Sequence, residues 1–274
     1  MIQDRAMLAS LNISCWGARK QDKKVTAEIE STHGARNSGN FNKALVDKAL
    51  LEPINNVISR ARTTHYRYTL PWTDDGRRIL PGKNFIPCTS EIRTLKSEFD
   101  NAVRNMVSNY PGEVQAARNR LGSMYDPGDY PDPADIAGRY SFELNFEPVP
   151  SGSDFRVDVG EEALVELRES VTRSVVTRQA AAKQACYARL REVVSKVEER
   201  LSIPDAIFKD SLINNVKDEC TVMDGLNIDN DPNLAALVAD IQAQLVVPPL
   251  SIRNSPSRRV LVAQAAAQLL QRIP

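Results

Sequence analysis

Cationic and aromatic side chains alternate along residues 60–83, a pattern that suits an anionic ligand carrying flat bases. Cations neutralise phosphates and release counterions, while aromatic rings stack on bases without reading their sequence. The segment therefore favours binding to single-stranded nucleic acid. An alternative stays open, in which the aromatic residues belong to the core or to a helix end and the charges are solvated. The candidate residues are Arg60, Arg62, Tyr66, Arg67, Tyr68, Trp72, Arg77, Arg78 and Lys83.

A second basic group lies nearer the N terminus, at Arg19, Lys20, Lys23 and Lys24. An amphipathic pattern predicts a helix over residues 19–32, and on that helix the three lysines share one face. This face could extend the phosphate-binding surface. The whole chain is balanced, with 35 Lys and Arg against 35 Asp and Glu. Cations are nevertheless in excess in residues 1–88, which points to an anionic partner at one end of the chain.

The sequence lacks the common catalytic motifs, since neither of its two histidines lies at a recognised spacing from a nucleophile. Residues 76–84 resemble a phosphate-binding loop, but they have five spacer residues where four are needed, and Asn84 where Ser or Thr should bind Mg²⁺. Residues 227–238 resemble a calcium loop, but Pro232 and Val238 replace its glycine and its last glutamate. A helix end followed by an N-cap explains them better. The sequence therefore predicts no enzyme, no cofactor and no metal site.

The four cysteines are scattered and form no C-x-x-C pair, which indicates a reducing compartment. The N terminus carries charge and is not followed by a long apolar run, unlike a signal peptide. No stretch approaches the roughly 20 apolar residues of a membrane span. We therefore expect a soluble cytoplasmic protein with no membrane partner. The cysteines are Cys15, Cys88, Cys186 and Cys220.

One long helix is predicted over residues 161–201, which contain no proline and no glycine. At about 1.5 Å per residue it would span roughly 60 Å. An apolar stripe runs along it and is interrupted only by Arg178. We interpret this spine as a support for other helices or for other subunits, and hence expect a homo-oligomer. The stripe is Leu164, Leu167, Val171, Val175, Arg178, Ala182, Cys186, Leu190, Val193, Val197 and Leu201.

The remaining patterns predict an α+β, mostly helical fold with a small antiparallel sheet. Alternation predicts strands over residues 6–16, 139–146 and 155–159, and the turn residues around Asp75 predict a short exposed hairpin. Further helices are predicted over residues 43–48, 51–68, 89–110, 113–121, 203–223, 231–245 and 256–272. We expect an N-terminal α+β domain over residues 1–160 and a helical, oligomerising part over residues 161–274.

Three segments resemble a phage family: residues 11–25 (LNISCWGARKQDKKV), 60–66 (RARTTHY) and 69–81 (TLPWTDDGRRILP). They are similar to the Drc-type single-stranded-DNA-binding proteins of podoviruses that carry a virion RNA polymerase. The resemblance covers most of residues 8–200, and the TLPWTDDG segment is its most distinctive part. It does not assign individual binding residues, and the last 70 or so residues match less clearly.

The resemblance implies a non-enzymatic protein that prefers single-stranded DNA, self-associates and has a fold other than the oligonucleotide/oligosaccharide-binding barrel. It also implies a place in phage transcription or replication in the host cytoplasm, with a phage RNA polymerase as a further partner. A second interpretation stays open, in which the chain is a structural or adaptor protein that binds phage or host proteins through its spine. A nuclease has little support, because no carboxylate and histidine constellation is present.

Overall fold

A computed structural model describes residues 1–154 and 160–274 and confirms an α+β, mostly helical fold with a small antiparallel sheet. The strand predicted over residues 155–159 lies outside the described residues. The strands are β1 (Ala6–Ser14), β2 (Arg19–Gln21), β3 (Asn42–Ala44), β4 (Leu70–Pro71), β5 (Arg78–Pro81) and β6 (Ser141–Pro148). The helices are α1 (Lys23–His33), α2 (Lys48–Tyr68), α3 (Gly82–Leu121), α4 (Pro133–Ala137), α5 (Glu161–Ser202), α6 (Ser211–Leu226), α7 (Pro232–Leu245), α8 (Pro249–Arg253) and α9 (Pro256–Arg272).

The chain divides into two compact units built from separate segments. Unit 1 comprises Met1–Ser10, His65–Thr89 and Asn145–Pro274, and unit 2 comprises Leu11–Thr64 and Ser90–Leu144. This grouping follows packing between distant segments, whereas the division at residue 160 follows sequence patterns. That division stays a prediction.

The described strands form a four-stranded sheet in the order β4-β5-β1-β6 and a separate ribbon of β2 and β3. In unit 1, β5 pairs with β1 from Ala6 opposite Pro81 to Ala9 opposite Arg78. The predicted hairpin is present, since β4 pairs antiparallel with β5. It is less exposed than expected, because Leu70, Trp72, Ile79 and Leu80 are buried.

Helix α5 confirms the predicted spine. In unit 1, α6 and α9 pack against it, and α7 packs against α6 and α9. Six members of the predicted stripe of α5 are buried, namely Val175, Ala182, Cys186, Leu190, Val197 and Leu201. Arg178 and Val193 are half-buried, and Val194, outside the predicted stripe, is fully enclosed instead of Val193. The first three members of the stripe behave differently. Leu164 and Val171 are half-buried and Leu167 is exposed, so the helix begins before the core that it supports.

The helix predicted over residues 19–32 begins later, and the short helix predicted over residues 43–48 is absent. Residues Arg19–Gln21 pair instead with Asn42–Ala44 as an antiparallel ribbon. The Asp22 carboxylate then caps α1 by accepting hydrogen bonds from the backbone N–H groups of Lys24 and Val25. A strong N-cap just after the ribbon fixes the start of the helix.

Helix α2 begins three residues earlier than predicted, so Pro53 lies inside it rather than in its first turn. The Asp47 carboxylate accepts a hydrogen bond from the backbone N–H of Ala49, 2.8 Å away, and satisfies a donor of the first turn.

Helix α3 runs unbroken through Pro111 and Gly112, where the sequence predicts an interruption. Tyr110, Ala117 and Leu121 are buried on either side of this point. The Tyr110 hydroxyl also donates a hydrogen bond to the Pro131 carbonyl at 3.2 Å, and its ring meets Trp16 edge-on. This packing offsets the lost backbone hydrogen bond, since tertiary burial supplies most helix stability.

Residues 203–210 are not helical, although the sequence predicts a helix from residue 203. Asp205 adopts a left-handed backbone conformation with φ of 59°, and Phe208 is buried beneath the Arg253 guanidinium. The helix forms from Ser211 onward as α6 and ends one residue beyond Gly225. The predictions for α7 and α9 are confirmed, and Asp231 caps α7 through the Asn233 N–H.

Candidate nucleic-acid interface

The end of α2 is held in unit 1 by an arginine from α5. The Arg189 guanidinium donates to the backbone carbonyls of Tyr66 and Arg67, at 3.3 and 3.1 Å. Carbonyls at a helix C terminus lack hydrogen-bond donors within the helix and carry partial negative charge. A guanidinium supplies both the donors and the compensating positive charge. Glu219 of α6 accepts two further hydrogen bonds from Arg189, at 2.7 and 3.1 Å. This network fixes the backbone that carries the predicted aromatic residues.

Tyr66 presents an aromatic ring to solvent at this helix end. It is 54% exposed, and the Arg78 guanidinium lies 4.6 Å from the centre of its ring. Arg78 is itself held by the Thr69 hydroxyl and carbonyl oxygens, at 2.7 and 3.2 Å. Burial lowers the pKa of Arg78 from its ordinary value, and the neighbouring Arg189 contributes in the same direction. The arrangement is an exposed ring supported by a fixed cation.

Tyr68 and Trp72 are buried, which corrects their prediction as base-stacking residues. Their side chains are 8% and 5% exposed. The Arg67 guanidinium packs over the Tyr68 ring and donates to its hydroxyl at 2.6 Å. The alternative interpretation, in which these residues belong to the core or to a helix end, therefore holds for these two aromatic residues. Arg67 serves the same packing.

Arg77 and Lys83 are exposed cations already paired with carboxylates. Asp75 hydrogen bonds to Arg77 and raises the pKa of the guanidinium, and Glu147 lies 3.1 Å away on the other side. Lys83 lies 3.3 Å from Asp224. Exposed pairs of this kind contribute little stability, so a phosphate can compete for either cation only against a local carboxylate.

His65 was not predicted as a site residue, yet it lies beside Arg78 and is only 3% exposed. Neither ring nitrogen has a hydrogen-bond partner among the described residues. Burial lowers the pKa of His65 to about 4, and the charge on Arg78 lowers it further in the same direction. The imidazole is therefore neutral near pH 7 and acts as a packing group.

In unit 2, the basic residues near the N terminus lie on two elements rather than on one helix face. Arg19 and Lys20 are exposed on β2, whereas Lys23 and Lys24 are exposed on the first turn of α1. The predicted shared helical face of the three lysines is therefore wrong. The cap at Asp22 ends the ribbon and starts the helix between them, so the four cations still lie within six residues of chain.

Lys43, which no pattern in the sequence singles out, forms ion pairs beside this basic segment. It is 6% exposed on β3 and its ammonium group lies 2.7 Å from Asp129 and 3.4 Å from Asp22. Burial alone would lower the pKa of Lys43, but the two carboxylates outweigh it and raise the pKa. No spacing in the sequence brings these three residues together.

Arg60 and Arg62, also in unit 2, differ in their surroundings. Arg60 forms a two-point pair with Glu98 of α3, at 2.5 and 3.3 Å. Arg62 is exposed on α2. The structure therefore places the site residues in two groups. Unit 2 holds Arg19, Lys20, Lys23, Lys24, Arg60 and Arg62, and unit 1 holds Tyr66, Arg67, Tyr68, Trp72, Arg77, Arg78 and Lys83.

Within residues 1–154 and 160–274, no group of three or more His, Cys, Asp or Glu side chains is arranged to hold a metal ion. Among the same residues, no helix is both long and apolar enough to cross a membrane. Comparison of the chain with protein-family models, with curated proteins and with solved structures finds no match.

Proposed function

We propose that this protein binds single-stranded DNA without enzymatic activity and with little dependence on base sequence. The resemblance of residues 11–25 and 60–81 to the Drc-type family extends the proposal to a homo-oligomer that acts in the host cytoplasm. There it would support phage transcription and replication, with a phage RNA polymerase as a further partner. The observation that carries the proposal is the exposed Tyr66 ring over Arg78.

Tyr66 suits a base because its ring is exposed while its backbone is fixed. Arg189 holds the carbonyl of this residue, and Arg78 supports the ring at 4.6 Å. A base that stacks on the ring therefore costs little ordering of the protein. Stacking of this kind contributes roughly 1–3 kcal/mol per base.

The preference for a single strand follows from the same ring. In a duplex the base faces are covered by their neighbours, so only an unpaired base can offer a face to Tyr66. The exposed cations of unit 2, Arg19, Lys20, Lys23, Lys24 and Arg62, supply phosphate contacts of a kind that both forms of DNA can use. Charge therefore provides general affinity, and stacking provides discrimination.

The test replaces Tyr66 by alanine and by phenylalanine and measures binding of a labelled single strand by fluorescence anisotropy. Tyr66→Ala removes the ring and is expected to weaken binding about 5- to 150-fold, which corresponds to the stacking range above. Tyr66→Phe keeps the ring and is the matched control, expected to bind within about twofold of the parent. Equal affinity of Tyr66→Ala and the parent for the single strand would contradict base stacking on Tyr66, on which the proposal rests.

An adaptor function is the second candidate, and the exposed first turns of α5 favour it. An adaptor would keep its protein partner when surface cations are reversed, whereas a DNA binder would lose its strand. Lys23→Glu combined with Lys24→Glu reverses two exposed cations on α1 without touching the buried Lys43. Weaker DNA binding by this double variant than by the parent would support the DNA binder, whereas a protein partner kept by the variant, with no DNA binding by the parent, would favour the adaptor.

A further inference from the structure

The first turns of α5 form an exposed helical arm, here defined as residues 161–174. Within these described residues no side chain is buried. Leu164, Leu167 and Val171 follow one another at the i, i+3, i+7 spacing of a helix that docks into a groove. The arm is acidic, because Glu161, Glu162, Glu166 and Glu169 outnumber Arg168 and Arg173. An apolar stripe with an acidic surround is thus only partly covered, since Leu164 and Val171 are half-buried and Leu167 is exposed.

The opposite end of the same helix borders a groove of about 660 Å³. Ile203 and Ile207 lie in its wall and are 56% and 87% exposed. The groove is basic, because Lys196, Arg200 and Lys209 outnumber Glu199 among its lining residues. The groove therefore combines an apolar surface with positive charge, whereas the arm combines an apolar stripe with negative charge.

Hydrogen bonds and ring packing hold the wall of the groove in place. Arg259 of α9 donates to the carbonyls of Leu201, Ile203 and Ala206 at 3.0, 2.8 and 2.9 Å. The ring of Phe208 is buried beneath Arg253, whose guanidinium lies 4.8 Å away. These contacts fix the connector between α5 and α6 while its isoleucine side chains point to solvent.

We infer that the arm of one copy docks into the groove of a second copy, in a head-to-tail contact. The two surfaces match in both apolar character and opposite charge. They also lie 33 residues apart on one uninterrupted helix, from Leu167 to Arg200, which is about 50 Å at the helical rise. A chain cannot fill its own groove with its own arm across that length, so the occupant is another copy.

A head-to-tail contact leaves one free arm and one free groove at the ends of every assembly. Such contacts grow into rings or into open chains, in contrast to a two-fold dimer, which stops at two. The structure therefore predicts assembly beyond a dimer that depends on protein concentration and weakens with salt. This inference rests on the homo-oligomer part of the proposed function but not on DNA binding, and its test contains no DNA, so either part can fail without the other.

The test uses two variants of the full chain and measures mass by analytical ultracentrifugation. The arm variant combines Glu162→Lys with Glu166→Lys, and the groove variant combines Arg200→Glu with Lys209→Glu. Each alone is expected to sediment as a monomer at a concentration where the parent assembles. Mixed in equal amounts, they are expected to assemble again, because the intact arm of one variant meets the intact groove of the other and the reversed arm meets the reversed groove with opposite charge.

Lys217→Glu is the matched control, since it reverses an exposed α6 cation that does not line the groove and should assemble like the parent. Circular dichroism confirms that each variant keeps its helices, and Ile207→Asp offers a second groove variant at a highly exposed position. A monomeric parent at tens of micromolar, variants that assemble like the parent, or a mixture that stays monomeric would each overturn the inference.

Discussion

The Arg78 guanidinium lies 4.6 Å from the centre of the Tyr66 ring, and the backbone carbonyls of both Tyr66 and Thr69 accept hydrogen bonds from arginine side chains. Arginine therefore fixes this helix end both through the ring and through the backbone. A guanidinium over an aromatic face is stabilising by itself. Here it also orients an exposed ring, which links the packing of unit 1 to the proposed stacking of a base.

Loss of the Arg189 side chain should destabilise unit 1. Arg189→Leu leaves Glu219 without its partner in a largely buried position and frees the carbonyls at the end of α2. We expect a loss of about 3 kcal/mol in the free energy of unfolding. Urea unfolding followed by Trp72 fluorescence, in a Trp16→Phe background, measures it. Arg189→Leu with Glu219→Leu should recover part of the loss, and no recovery would contradict the ion-pair explanation.

Gly225 should not tolerate a side chain, because α6 meets Asn84 there. A Cβ at residue 225 would lie 1.8 Å from the Asn84 side-chain oxygen, and that amide is buried and bonded to the Tyr68 carbonyl. We expect Gly225→Ala to cost about 1–3 kcal/mol. Gly112→Ala is the control, since a Cβ there meets open space on helix α3 and should stabilise by about 0.5–1 kcal/mol. Thermal unfolding of both variants measures the contrast, and equal effects would contradict it.

The buried ammonium of Lys43 should stabilise unit 2 far more than an exposed lysine does. Lys43→Met leaves Asp22 and Asp129 without their shared partner, at an expected cost of about 3–5 kcal/mol. Lys20→Met is the control, because Lys20 is exposed and only 4.0 Å from Asp129, and it should cost under about 1 kcal/mol. Trp16 fluorescence in a Trp72→Phe background reports on unit 2. Similar losses for the two variants would show that burial is not the cause.

Protonation of His65 should make the protein sensitive to mild acid. Burial holds the pKa of His65 at about 4 in the folded protein, against 6.5 when unfolded. Between pH 6.5 and pH 4 the imidazole is protonated in the unfolded chain but neutral in the folded protein. The free energy of unfolding therefore falls as the pH drops from 6.5 to 4. The expected contribution is about 3 kcal/mol. Urea unfolding across this range should show a shallower pH dependence for His65→Leu, and identical slopes would contradict the assignment.

The sequence predicted the elements whose signals are local. An uninterrupted run of helix-forming residues identified α5, and Asp231 followed by Pro232 identified the start of α7. Signals that depend on distant residues were misinterpreted. Arg19 and Lys20 form a strand only because residues 42–44 return beside them. Helix α3 passes Pro111 because Tyr110 and Leu121 are buried by tertiary packing.

The candidate site was predicted only in part, for the same reason. Residue type and spacing singled out Tyr66, Tyr68 and Trp72 together, but burial separates the first from the other two. Burial is a property of the fold and not of the segment. Arg189 carries no signal at all in the sequence, since the carbonyls that it holds lie more than 100 residues away along the chain.

The most direct test of the proposed function compares labelled single- and double-stranded DNA of equal length by fluorescence anisotropy, at low and at several-fold higher salt. The proposed function predicts tighter binding to the single strand, because only unpaired bases can stack on Tyr66. It also predicts that both affinities fall steeply with salt, because cations displace counterions from phosphates. Equal affinity for both strands, or binding that salt leaves unchanged, would contradict the combination of stacking and charge. Absence of binding to either at micromolar protein and low salt would contradict the function itself.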